Sequence, residues 1–159
     1  MSTTTRKMAC SPDDVFSVLA DGWSFAQWVV GAARVRAVDH GWPGEGRRIH
    51  HSVGAWPALV SDTTSVEEVE PGRRLVLTAR GWPMGQARVE ITCERDGVGS
   101  RVTLHEQVNG GPPLLVLRPV RDAALGWRNI ESLRRLAYLA EGRARSEDRL
   151  PARDAHDRA

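Results

Sequence analysis

From about residue 33 to residue 108 the apolar residues recur at every second position, and beyond Gly110-Gly111-Pro112-Pro113 the period lengthens to that of one long helix. This change of period restricts the chain to few architectures. Ala33, Val35 and Ala37 alternate with Arg34 and Arg36, and Ile49, His51 and Val53 alternate with Arg48, His50 and Ser52, as in half-buried strands. Further runs of this kind cover 59–70, 73–80, 86–94 and 100–108. Gly41-Trp42-Pro43-Gly44, Pro71-Gly72, Gly81-Trp82-Pro83 and Asp96-Gly97-Val98-Gly99 supply turns between them. Connections this short join antiparallel neighbours, so a meander is predicted.

Residues 3–10 read as a first strand that ends sharply. Ser11 suits a helix cap, Pro12 the first helical position, and Asp13 and Asp14 the positive end of the dipole. Val15, Val18 and Leu19 share one face of this helix, which stops at Asp21-Gly22. A short helical or irregular piece with Trp23, Phe25, Trp28, Val29 and Val30 follows. The last helix is expected over 114–142, with Pro119 starting or kinking it and Gly142 ending it. Its core stripe is expected to be Ala123, Trp127, Ile130, Leu133, Ala137 and Ala140, with Leu136 beside it and Arg121, Arg128 and Arg135 on another face. Residues 144–159 are charged and poor in large apolar side chains, so a disordered tail is expected after one domain at 1–143. The fold class is α+β, a curved antiparallel sheet wrapped around a long C-terminal helix, with two short helices after the first strand.

Composition narrows the function. A chain of 159 residues with 41% apolar content supports one core of ordinary size. The formal charge of +2, with arginines and acids interleaved, argues against a nucleic-acid partner despite a pI near 8.9. Cys10 and Cys93 form neither a disulfide framework nor a metal-knuckle spacing, which fits a reduced cytoplasm. Residues 1–20 lack a signal pattern, and no run approaches the roughly 20 apolar residues of a membrane helix, so no stable membrane insertion is expected.

The order of elements resembles the START-like or Bet v 1-like (SRPBCC) superfamily, and most closely its bacterial polyketide cyclase/dehydrase branch. The residues that carry this are Ser11-Pro12-Asp13-Asp14-Val15-Phe16 after the first strand, Trp28 before the second, and Gly99-Ser100-Arg101-Val102-Thr103 opening the last. The resemblance covers about residues 3–143 and implies a helix-grip fold. Its members include lipid and hormone binders, aromatase/cyclases and proteins with no assigned activity, among which fold alone does not choose.

Two sets of side chains are candidates for the site. Trp42, Trp56 and Trp82 each precede proline in a loop, where a large flat ring with one donor suits a pocket rim, and Trp127 reaches the interior if its helix stripe is right. Strand parity places Glu106 with Val102, Leu104 and Val108, and His51 with Ile49 and Val53, all facing inward. A buried carboxylate is costly without a partner, so Glu106 needs a cation, a water or a ligand. Glu106 and His51 are thus candidates for acid/base work or for simple hydrogen bonding to a ligand. His50 and His105 point the other way, so no metal-ligand set shares a face. No G-x-S-x-G elbow or phosphate loop is present, and Cys93 falls on the apolar side of its strand. The expected function is binding or carriage of a small, mainly hydrophobic or aromatic molecule, with no cofactor. A cyclase/dehydratase-type enzyme and a protein-interaction module are the alternatives.

Overall fold

The computed structural model describes residues 1–55, 57–81, 85–109 and 118–149. Strand β1 (Ser2–Met8) leads into helix α1 (Pro12–Ala20), a 3-10 turn at Gly22–Ser24 and helix α2 (Phe25–Trp28). The cap is reciprocal: the Asp14 amide donates to Ser11 Oγ at 3.2 Å, and the Ser11 amide donates to Asp14 Oδ2 at 2.8 Å. Six strands follow, β2 (Ala32–Val38), β3 (Arg48–Ala55), β4 (Ala58–Glu70), β5 (Arg74–Gly81), β6 (Gly85–Asp96) and β7 (Gly99–Val108), and then helix α3 (Arg118–Arg149). They form one antiparallel sheet in the order β1-β7-β6-β5-β4-β3-β2, so only β1 sits away from its neighbour in sequence. The expected meander and helix-grip architecture are thus present.

Every cross-strand pair shares a face, which makes the inner surface easy to trace. Val102, Leu104 and Glu106 of β7 lie opposite Arg6, Thr4 and Ser2 of β1, and opposite Cys93, Ile91 and Val89 of β6. Ile49 and His51 of β3 lie opposite Thr64 and Asp62 of β4. Ile49, Leu75, Ile91, Val102 and Leu104 are buried, and Val15, Val18, Leu19, Phe25 and Trp28 pack into the same core. β2 departs from the expected alternation. Bulges between Ala32 and Arg34 and between Val35 and Ala37 turn its period from two to three, so Ala32, Val35 and Val38 are half-buried while Ala33 and Ala37 are exposed.

α3 lies along β1 and against α1 and α2. Its register corrects the sequence expectation. Trp127 is 68% exposed and Ile130 56% exposed, whereas Asn129, Ser132, Leu133, Leu136, Ala137 and Ala140 are buried. The inward face carries alanines at its C-terminal end beside β1 and two polar residues nearer its N-terminal end. Ser132 Oγ accepts from the Val30 amide at 3.2 Å, so the polar residue is a structural strut rather than a misplaced surface group. The helix ends later than expected, and its expected start at residue 114 lies outside the described residues. Pro119 is its second residue, where a missing N–H costs nothing. Gly142 does not end it, because Arg143 reaches back to the Ser17 carbonyl at 3.3 Å, to Asp21 Oδ2 at 2.5 Å and to Ser24 Oγ at 2.7 Å. Residues 144–149, expected within a disordered tail, are helical, and the rest of that tail lies outside the described residues.

Candidate functional site

The polar groups of the interior gather on β7, β3, β4 and the inward face of α3. Glu106 is 2% exposed and forms an ion pair with Arg128, which is itself 38% exposed. That pair engages Oε1 alone. Oε2 is buried and has no hydrogen-bond partner among the described residues. Asn129 follows Arg128 on α3; it is buried, and its Nδ2 donor likewise has no partner among the described residues. The signal for it was in the sequence, since the row Leu133, Leu136, Ala137 and Ala140 extends back by one turn to Asn129.

His51 is 3% exposed and hydrogen-bonded through Nε2 to Thr64 Oγ1 at 2.9 Å, with its ring 5.0 Å from that of Phe25. Its Nδ1 is likewise buried and without a partner among the described residues, as are Arg6 Nε and Ser100 Oγ. Burial, reinforced by Arg36 and His50, pushes the imidazole down to about 4, so it is neutral at pH 7. Arg36 is close because its guanidinium donates to the His51 carbonyl at 3.2 Å and 3.3 Å. Asp62, opposite His51 on β4, is raised by burial, against which the Thr63 amide at 2.6 Å pulls. β3 and β7 are four steps apart in the sheet, about 19 Å along it. A ligand that touches both His51 and Glu106 therefore has to span the interior.

A histidine whose folded-state pKa lies below its unfolded value of 6.5 favours folding in its neutral form. Its contribution is complete above about pH 6.5 and is lost as the pH falls towards 4, by about 3 kcal/mol for a shift of this size. Denaturant unfolding at pH 7 and pH 4.5 should show this slope in the wild type and a flatter one in His51→Gln. Equal slopes would remove His51 as the titrating group.

Of the four tryptophans singled out above, Trp42 is half-buried, and its Nε1 donates to the Leu19 carbonyl at 3.1 Å, which fixes the loop against α1. Trp127 stands on the solvent side of α3. Trp56 and Trp82 lie outside the described residues. His50 pairs with Asp39 at 3.5 Å, and His105 Nδ1 meets Thr3 Oγ1 at 2.7 Å, both on the outer face. Cys93 is buried, and burial together with Cys10 pushes its thiol up to about 12, far from a reactive thiolate. Among the described residues no three His, Cys, Asp or Glu side chains are grouped to hold a metal, and no helix is long and apolar enough to cross a membrane.

No curated protein matches the chain. Solved structures share its fold at low identity. An aromatase/cyclase, Zhui, from a Streptomyces species is 16% identical with a TM-score of 0.67, over 91% of this chain and 95% of that one. A protein from Chromobacterium violaceum is 20% identical with a TM-score of 0.65, over 86% and 94%. Ara h 8.0201 is 9% identical with a TM-score of 0.64, over 88% and 96%. The sequence profile of the polyketide cyclase / dehydrase and lipid transport family matches residues 2–141, the whole described sheet and most of α3. The chain belongs to that family, within the START-like, Bet v 1-like superfamily.

Proposed function

We propose that the chain binds a small, mainly apolar molecule between the inner face of the sheet and α3, and that the polar end of the ligand meets Glu106 and Asn129. The observation that carries this reading is that Glu106 Oε2, Asn129 Nδ2 and His51 Nδ1 are three of the five buried side-chain polar atoms without a partner among the described residues, the others being Arg6 Nε and Ser100 Oγ. An unsatisfied buried group costs about 1 to 3 kcal/mol, and a ligand that satisfies it recovers that cost on binding. Oε2 accepts and Nδ2 donates, so the matching ligand offers a hydroxyl and a carbonyl close together on an apolar frame. Cys10 and Cys93 are both free, in keeping with a reducing, cytoplasmic setting for such a carrier.

Catalysis of the cyclase or dehydratase kind is the second reading, favoured by the family match and by the likeness to an aromatase/cyclase. Its difficulty is chemical. A histidine with a pKa of about 4 is a weak base, and the Glu106 carboxylate is held by Arg128. Binding therefore comes first.

The test uses Asn129→Leu, which removes the orphan donor while keeping the volume. Stability should hold or rise, because an unpaired polar group gives way to an apolar one. Flat aromatic compounds that carry adjacent hydroxyl and carbonyl groups should raise the melting temperature of the wild type, by the equivalent of about 2.7 kcal/mol at 100 times the dissociation constant. The variant should bind them about tenfold more weakly, while the matched hydrocarbons should bind both proteins alike. Equal affinity of wild type and variant across the panel would reject the proposed polar contact. Turnover of any panel member would move the assignment to the second reading.

A further inference from the structure

We propose that the outer face of the sheet carries a second site, a cleft between Arg48 and Arg80 that takes the tetrahedral oxyanion of a small phosphate ester. The cleft measures about 470 Å³, and its lining includes Arg48, Ser61, Asp62, Thr63, Ser65 and Arg80. It is independent of the interior, on the opposite side of the sheet.

The register explains how these side chains meet. Arg48 of β3 lies opposite Ser65 of β4, and Arg80 of β5 lies opposite Thr63 of β4. The arginines therefore flank β4 from its two sides, offset by two residues, which puts their Cα atoms about 12 Å apart. The outward hydroxyls of Ser61, Thr63 and Ser65 form the floor between them. Asp62 alternates to the other side, opposite His51, so its carboxylate belongs to the inner face.

Both guanidinium groups are without acidic partners among the described residues. Their neighbours on the same face are not. Arg74 is shared by Glu68, Glu70 and Glu90, and Arg88 by Glu67, Glu68 and Glu90. Two nearby acids are also engaged elsewhere. Glu67 holds Thr78 and Arg88, and Asp39 holds His50 and the Arg48 amide. Beside the fully paired Arg74 and Arg88, Arg48 and Arg80 stand as cations over a floor of hydroxyls. Two forked donors on opposite sides of one cleft, with hydroxyl donors beneath, match an anion that presents several oxygens rather than a single halide or a planar carboxylate. The volume leaves room beyond the phosphate for the organic part of a small ester.

The test is a titration of the isotopically labelled full chain with inorganic phosphate, phenyl phosphate, acetate and chloride at constant ionic strength, following the amides of Ser61, Thr63 and Ser65. Phosphate and phenyl phosphate should shift these resonances saturably, and tighter binding of phenyl phosphate would identify an ester rather than the free ion as the preferred form. Arg48→Gln and Arg80→Gln should each weaken binding about tenfold, the loss of one charge-assisted fork, while Arg95→Gln on the β6 end should leave it unchanged. Because both arginines are exposed, the melting temperatures of the variants should match that of the wild type. Identical shifts with acetate or chloride, no saturation, or wild-type affinity in both variants would overturn the proposal.

Discussion

Leu133→Ala should lower stability by about 2 to 5 kcal/mol, whereas Ile130→Ala, less than one turn away on the same helix, should change it by no more than about 0.5 kcal/mol. Leu133 is fully buried against the core, so truncation removes transfer free energy and leaves a void that the sheet beneath is too well packed to fill. Ile130 faces solvent, and its replacement trades a β-branched residue for the best helix former. Chemical denaturation of the two variants checks both numbers. In a thermal melt the first should fall by roughly 10 °C and the second should not move. A large loss at Ile130 as well as at Leu133 would return α3 to the register expected from the sequence, in which both face the core.

Arg128→Met should cost about 3 kcal/mol and Glu106→Gln about 1 kcal/mol or less. The asymmetry follows from unequal burial of the two partners. Removing the arginine strands a carboxylate inside the protein, whereas neutralising the carboxylate leaves an arginine that already reaches water and can turn outward. The cost of Arg128→Met falls at the low end of the range for breaking buried pairs because its guanidinium is partly solvated. The double variant is the decisive comparison. It should be more stable than Arg128→Met alone, since the stranded charge is gone, and the coupling energy from the four proteins isolates the pair. Additive losses would show that Glu106 and Arg128 do not act together.

Strand positions were legible because an antiparallel sheet imprints a period of two on its sequence, and the turn residues between strands are chemically distinct. The same parity sufficed to send Glu106 and His51 inward. It failed on β2, where two bulges each add a residue that no local pattern announces. The helical stripe read for α3 held at Leu133, Ala137 and Ala140 but failed, more consequentially, at Trp127 and Ile130. Trp127 and Ile130 are the largest apolar residues of their stretch, and a reading that ranks candidates by hydrophobicity places them in the core. The fold places Asn129 and Ser132 there instead, where Ser132 accepts from the amide of Val30 and the adjacent Arg128 pairs with Glu106 of β7. The partner of Glu106 and the convergence of Arg48 and Arg80 were not legible either. Both depend on which strands and helices become neighbours, and on the register at which they pair.

The pairing of β1 with β7 governs the timing of folding. The strand made first finds its only neighbour in the strand made last, so Ser2 has to wait for Glu106 and the remainder of the sheet must be laid down between them. Such long-range closure is slow, and the full docking of α3 waits for it, because α3 packs along β1 as well as against α1 and α2. During that interval β1 is an unpaired edge exposed to every other nascent chain. Its sequence, Thr3-Thr4-Thr5-Arg6-Lys7, is suited to the wait: β-branched enough to pair when β7 arrives, yet too polar and too positively charged to stack with copies of itself.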